Sequence, residues 1–296
     1  MTDSSARTDD GTLPRVGVVF RPQLPPEQLR GFATEAEAAD LDVWLWEDCF
    51  LEGGLTAATA MLAWTTSLRV GLGLIPVPFR NPALAAMEIS TVARLFPGRF
   101  VPAAGHGVTS WMDQVGALAE SPMTLLREWV SAVRALLQGQ TVTVSGRYVR
   151  LAGVALDWPP AEVPPVLVGA RGPKTLALAG EVADGVVLDA GLSPDGVRAA
   201  LATAGLAAPQ QAVVYLPCGA GPGARQRLEA ELDPARGAGP DRVAVGSAHE
   251  VADRIRAFAA AGATSVVLQP AGDDPQLADT LSLAAGARAI IARQAS

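Results

Sequence analysis

The sequence predicts an α/β fold, a closed (β/α)8 barrel of parallel strands and helices in one domain, and three observations predict it. Eight short apolar runs, rich in β-branched residues, recur between Val16 and Leu268. Segments at helical spacing separate most of them, by connections short enough for a parallel sheet. The first run, Val16–Phe20, is followed by Arg21, Pro22 and Gln23. An open dinucleotide-binding sheet would need the fingerprint G-x-G-x-x-G there. At 296 residues the chain is long enough for such a barrel.

Val16–Phe20 is the first strand, and Glu27–Asp40 follows as a helix with Leu29, Phe32, Ala33, Ala36 and Ala39 at helical spacing. Val43–Trp46 is the second strand and ends in Glu47, Asp48 and Cys49; Thr56–Thr65 is the second helix. Arg69–Ile75 is the third strand, whose glycines narrow the side-chain layer or allow close backbone approach. After a proline-rich loop, Ala83–Leu95 is a helix that Pro97-Gly98 breaks. Arg99–Ala104 is the fourth strand, running into Gly105, His106 and Gly107, and Leu125–Leu137 is a helix stopped by Gly139. Thr141–Val144 and Tyr148–Leu151 alternate about Ser145-Gly146, a hairpin-like insertion around residues 140–165.

The stretch Val163–Leu188 supplies strands five and six, Val166–Val168 and Val186–Leu188, around a glycine loop and a helix. Gly169 and Gly172 let the backbone turn sharply and approach a ligand. The amides at the helix start suit an anion, and Arg171 and Lys174 add positive charge. The same pattern is also that of an ordinary strand-to-helix turn. Val213–Leu216 is the seventh strand, and Ala220–Asp241, rich in glycine, proline and charge, is the least ordered region by pattern. Ser247 caps a helix running through Phe258, with Glu250 placed for a capping box. Ser265–Leu268 is the eighth strand and Pro275–Ile291 the closing helix.

Composition narrows the function classes. The net charge of -7 is spread over interspersed acids and bases, which argues against a nucleic-acid surface. Two cysteines, Cys49 and Cys218, make no disulfide framework, and a cytoplasmic setting is the default. The two histidines, His106 and His249, stand too far apart in sequence to suggest a histidine metal site. No apolar run is long enough to cross a membrane. Met1–Gly11 is polar, lacks a signal core and reads as a disordered tail, so the domain is expected over residues 15–296.

GPKTLALAGEVADG at Gly172–Gly185 and GRFVPAAGHG at Gly98–Gly107 resemble the luciferase-like monooxygenase superfamily. Within it they resemble the deazaflavin-dependent oxidoreductases related to methylenetetrahydromethanopterin reductase. Val43–Asp48, Leu68–Pro76, Glu128–Gly139 and Ala261–Pro270 extend the likeness over most of the chain. The resemblance implies a bacterial luciferase-like TIM barrel carrying coenzyme F420, or alternatively FMN, across its C-terminal face. It maps Ala170, Gly172, Pro173, Lys174 and Thr175, in the loop that also holds Gly169 and Arg171, to the cofactor phosphate. It maps Asp48, Leu74, Ile75, Pro76, Gly105, His106 and Gly107 to the ring, and it points to Gly73–Ile75 as the region where several members have a cis peptide.

The implied reaction is hydride transfer between deazaflavin C5 and a small organic substrate, by a homodimer. FMN in its place would open monooxygenation, and a catalytically silent cofactor-binding barrel is a further alternative. The ring carries the chemistry while the protein fixes face, distance and field. Asp48 and His106 are the candidate proton donors. An alternating strand through residue 47 would turn Glu47 and Asp48 to opposite faces, so one of them should face the mouth. Trp46 is expected at the pocket mouth and Trp44 in the core. Trp111 and Met112 either wall the ring or fill core. His249 is expected to face solvent or be structural, and Cys49 to be a small buried residue without a base.

Overall fold

The computed structural model describes residues 13–206, 210–232, 239–272 and 277–293. β1 (Arg15–Val19), β2 (Asp42–Leu45), β3 (Val70–Pro76) and β4 (Phe100–Gly105) alternate with α1 (Leu29–Ala38), α2 (Gly54–Trp64) and α3 (Pro82–Leu95). After β4 come α4 (Thr109–Gln114), α5 (Pro122–Leu137) and a hairpin of β5 (Val142–Ser145) and β6 (Arg150–Val154). The chain returns with β7 (Leu167–Ala170), α6 (Pro173–Val182), β8 (Gly185–Leu188), α7 (Pro194–Ala204) and β9 (Gln211–Gly219). It finishes with α8 (Ala224–Glu231), β10 (Ala244–Val245), α9 (Ala248–Ala260), β11 (Ser265–Gln269) and α10 (Leu277–Arg293).

Eight strands pair in parallel in the order β9-β11-β1-β2-β3-β4-β7-β8, and β8 pairs with β9 to close the barrel. These are the eight runs that the sequence marks as strands. The antiparallel β5–β6 hairpin is the expected insertion and stands outside the ring. Glu128 on α5 holds it there by accepting the backbone N–H groups of Arg147, Tyr148 and Val149, each at 2.9 Å. Ser247 and Glu250 form the expected capping box on α9.

The structure adds four elements to that reading. β10 is a two-residue strand beside β9, and α4 is a six-residue helix after His106–Val108. α8 lies in the region expected to be least ordered; its sequence ARQRLEAE is polar and only Ala224 and Leu228 are buried, so no apolar stripe announces it. α7 did carry signals: Ser193 accepts the Gly196 N–H, Pro194 stands at the first helical position, and Gly205 closes the helix at φ 65. The expected tail at Met1–Gly11, part of Ala220–Asp241 and the start of the closing helix lie outside the described residues.

The barrel interior is packed with Val19, Trp44, Val101, Ala103, Leu167, Val187, Val213, Tyr215 and Val267. Trp44 is an unusually large residue for that layer, and β3 makes the room. A Cβ at Gly71 would overlap the six-membered ring of Trp44, and one at Gly17 would stand 3.2 Å from its Cδ1. Glycine on these strands therefore narrows the layer around one indole. Gly71→Ala forces that ring to move in a close-packed interior, and the expected cost is about 1–3 kcal/mol, read as a lower urea midpoint at unchanged slope. A wild-type midpoint would show that the indole has room to spare.

Candidate active site

The C-terminal ends of the strands open into a cavity of about 910 Å³, the end of a (β/α)8 barrel where chemistry is placed. β3 builds its floor. Gly73 pairs with Ala103 and Ile75 with Ala104, so Leu74 is an extra residue in the register. The Gly73–Leu74 peptide is cis, in the region the resemblance indicated, and the Cys49–Phe50 peptide is cis as well. The Leu74 side chain lies over β4 and β7, since a Cβ on Gly105 or Gly169 would collide with its methyl groups. Tyr215, wholly buried on β9, donates its hydroxyl to the Gly73 carbonyl at 2.9 Å. Its ring stands 6.2 Å from Trp44 and 5.8 Å from Trp46.

Trp46 carries that packing to the first acid, because its Nε1–H donates to Asp48 Oδ2 at 2.8 Å. Burial pushes the Asp48 carboxyl above the usual range; the Trp46 bond and the charge of Arg21 offset part of that. The Arg21 guanidinium lies 5.8 Å over the Trp46 ring and is fixed by Glu231 at 3.1 Å and the Pro270 carbonyl at 3.0 Å. Glu47 is gripped by Arg80 at 2.5 and 2.9 Å and accepts the Gly54 N–H at 2.9 Å. The expectation that one of Glu47 and Asp48 would face the mouth is corrected here. β2 ends at Leu45, so strand alternation no longer applies, and both residues line the cavity.

His106 also lines the cavity. Its Nε2 is 3.5 Å from Thr175 Oγ1, and its Nδ1 is shielded from solvent with no partner. Burial lowers its pKa, which keeps the imidazole neutral near pH 7. Gly107 follows at φ 71, where a Cβ would meet that of Pro76 at 3.0 Å, so only glycine makes the turn without strain. From β7 and α6, the cavity takes Gly169, Ala170, Arg171, Gly172 and Thr175. Arg171 is ion-paired with Asp189 at the end of β8. Gly172 is the N-cap of α6 without a side-chain cap, and a Cβ there would have nothing within 4 Å.

Trp46, Asp48, Leu74, His106 and Gly107 therefore come together with the loop after β7. Five other candidates lie off the cavity wall: Ile75 and Pro76 are buried beside it, Gly105 lies under Leu74, and Pro173 and Lys174 are exposed on the first turn of α6. Met112 is buried core against Gly107, Trp111 is half-buried away from the cavity, and His249 is exposed. Cys49 is half-buried rather than buried. The far wall of the cavity was not foreseen: Tyr215, Pro217, Gln269 and Pro270 from β9 and β11, with Leu228, Glu231 and Leu232 from α8. Barrel logic alone pointed to the first four, since each lies toward the C-terminal end of barrel strand seven or eight.

The sequence profile described as luciferase-like monooxygenase matches residues 6–213. The chain belongs to the luciferase-like monooxygenase family. It is 29% identical over 260 residues to the 5,10-methylenetetrahydromethanopterin reductase of Methanolobus tindarius, covering 88% of this chain and 75% of the relative. It is 32% identical over 186 residues to the F420-dependent glucose-6-phosphate dehydrogenase of Mycobacterium avium, covering 57% of this chain and 55% of that relative. The chain thus spans about half the length of the second relative. Among solved structures it superposes on the coenzyme F420-dependent tetrahydromethanopterin reductase of Methanopyrus kandleri with a TM-score of 0.77 at 19% identity, over 93% of this chain and 98% of that one. It superposes equally well on an F420-dependent secondary alcohol dehydrogenase, with a TM-score of 0.78 at 19% identity over 93% and 98% of the two chains. These two likenesses establish the family's barrel. Among the described residues no group of His, Cys, Asp and Glu is arranged to hold a metal ion, and no helix is long and apolar enough to cross a membrane.

Beside the site, in the loop between β2 and α2, Glu52 has both carboxylate oxygens shielded from solvent without a partner, and burial pushes its pKa up to about 7. The folded state therefore holds a proton that the unfolded chain releases near pH 4.5. This contribution to stability is intact below pH 4.5 and is lost as pH rises through 7. Glu52→Gln is expected to be more stable than wild type at pH 8, by about 1 kcal/mol once solvent screening of a half-exposed residue is allowed for. The two proteins should converge toward pH 4.5; denaturation at both pH values checks this, and equal stability at pH 8 would contradict it.

Proposed function

We propose that the chain is an F420-dependent oxidoreductase that moves a hydride between deazaflavin C5 and a carbon of a small organic substrate. One observation carries the reading. The same cavity is lined by the imidazole of His106 and, 3.5 Å from its Nε2 at Thr175, by the first turn of α6, whose start at Gly172 is uncapped with open space in front of it. A planar heterocycle with a polar edge would meet the imidazole, and an anionic tail the helix start. The relatives support the cofactor, because F420 is in the description of the Mycobacterium dehydrogenase and of both superposed structures.

The residues present fit such a group. Leu74 offers an apolar floor for a ring, seated by the absence of side chains at Gly105 and Gly169. His106, neutral and turned into the cavity, would hydrogen-bond a ring edge. The backbone of Gly172–Thr175 and the Thr175 hydroxyl would hold a phosphate, while Arg171, tied to Asp189, lends positive charge. Lys174 stands on the exposed side of that turn and would meet only the outer part of a long anionic tail. When bound, a deazaflavin supplies or accepts the hydride; Asp48, half-buried and holding its proton more tightly than an ordinary carboxyl, is placed to exchange a proton with the substrate.

We also read the protein as a cytoplasmic homodimer. On α3 the side chains Leu84, Met87 and Leu95 are exposed on one helical stripe, and Trp64 at the end of α2 is exposed as well. A face of that kind suits a second copy. Light scattering should give twice the chain mass, and Met87→Glu should shift it to the monomer; a wild-type monomer would remove the dimer.

Titration of purified protein with F420 and with FMN tests the cofactor. F420 is expected to bind at least about tenfold more tightly than FMN, and His106→Ala to weaken F420 by about tenfold, the worth of one buried hydrogen bond. FMN bound tightly with no F420 binding would overturn the proposal.

A further inference from the structure

We infer that the N-terminal end of the barrel, opposite the cavity, binds a small oxyanion of the phosphate class between Arg69 and Arg15. Strand alternation locates the site. Trp44, Val101, Val213 and Val267 point into the barrel; two residues before them stand Asp42, Arg99, Gln211 and Ser265. Gly17 and Gly71 also face inward, since a Cβ on either would meet Trp44; two residues before them stand Arg15 and Arg69. The ladder runs through Arg69 and Arg99, whose carbonyls accept the N–H groups of Val43 at 3.0 Å and Val70 at 2.8 Å. Beneath an apolar interior, this end therefore sets polar residues at the inward positions of the strands, three of them arginines and only one an acid.

The acid is taken. Arg15 grips the buried Asp42 with both arms of its fork, Nε to Oδ2 at 2.8 Å and Nη2 to Oδ1 at 2.5 Å. Arg99 is satisfied by the carbonyls of Leu68 at 2.8 Å and Leu62 at 3.1 Å and by the Thr65 hydroxyl at 2.8 Å. Arg69 reaches only Asp42, with Nη1 at 3.8 Å from Oδ2, and its side chain makes no hydrogen bond among the described residues. Burial and the charge of Arg15 both work against its guanidinium, and Asp42 alone favours it. The neighbouring acids are committed elsewhere: Asp40 holds Arg288 at 2.5 Å, and Glu37 accepts the N–H groups of Thr66, Ser67 and Leu68.

This end thus carries more positive charge than its acids offset, and solvent reaches it. The Arg69 side chain is 23% exposed and that of Arg15 48%. An oxyanion would give Arg69 the acceptor it lacks, whereas a neutral or cationic ligand would gain nothing from two guanidinium groups. Ser265, the ladder partner of Arg15, adds a hydroxyl at the same end. A phosphate, with two charges and several acceptor oxygens, suits two guanidinium groups better than a single carboxylate does.

Calorimetry with inorganic phosphate and with acetate, in chloride buffer of matched ionic strength, tests the site. Because the start of α6 also suits phosphate, wild type and Arg69→Gln are both titrated, each without cofactor and with F420. Wild type is expected to bind phosphate with a Kd of about 1 mM or below and acetate at least about tenfold more weakly. Arg69→Gln should weaken phosphate at least about tenfold, the scale of one charge-assisted hydrogen bond, and Arg69→Lys should weaken it less. Phosphate affinity unchanged in Arg69→Gln, or no heat beyond that of added chloride, would overturn the inference. Should Arg69→Gln fail to fold by circular dichroism, phenylglyoxal labelling of wild type decides: phosphate should protect Arg69, as read by mass spectrometry, and an unchanged labelling rate overturns the site. If F420 abolishes phosphate binding while Arg69→Gln leaves it intact, the phosphate sits in the cavity and only the present inference falls. If F420 fails to bind and the Arg69-dependent heat remains, the deazaflavin reading falls and the oxyanion site stands.

Discussion

The Tyr215 hydroxyl donates to the carbonyl of Gly73 across the barrel interior, and the mouth of the barrel is arranged around that bond. A phenol buried this deeply must find a partner or lose the cost of its desolvation. Burial also holds the hydroxyl firmly protonated, so it remains a donor at any working pH. The bond ties β9 to the irregular point of β3, on opposite sides of the ring. Above it Leu74 spreads over β4 and β7. Beside it the Tyr215 ring packs on Trp46, whose indole N–H sets the orientation of Asp48. The cavity floor and the Asp48 carboxyl are therefore placed by the same residue.

The arginines at the mouth act as ties between loops. Arg21 links the end of β1 to Glu231 on α8 and to the β11 loop. Arg80 links the loop after β3 to Glu47 after β2, and Arg171 links the loop after β7 to Asp189 after β8. Pairs as exposed as Arg171–Asp189 contribute at most about 1 kcal/mol to stability. What each does is hold two strand ends in register while neutralising its acid.

This arrangement explains what the sequence could and could not reveal. The strands were legible because each is buried on both faces and reads as a continuous apolar run. One side of the cavity was legible because it is built from contiguous turns, His106-Gly107 and Gly169–Gly172, in which glycines and their neighbours stand together. The opposite wall is assembled from Trp46, Tyr215, Gln269 and α8, separated by up to 223 positions between Trp46 and Gln269, and no local pattern joins them. α8 is a polar helix with two buried residues, so periodicity had nothing to register. The alternation expected of Glu47 and Asp48 does not apply because β2 stops one residue before its apolar run does: Trp46 continues the apolar pattern but already belongs to the loop.

The two walls also differ in how they are held. On one wall the Leu74 side chain rests where Gly105 and Gly169 carry no Cβ, and adding one carbon to either glycine would meet a Leu74 methyl group. The opposite wall is held by side chains: one indole–carboxylate bond, one arginine clamp and the two buried residues that anchor α8. Side chains there can be exchanged without moving a strand. A barrel built this way can keep its strands and one wall of its cavity while side chains of the other are exchanged, which is how one fold comes to host different sites.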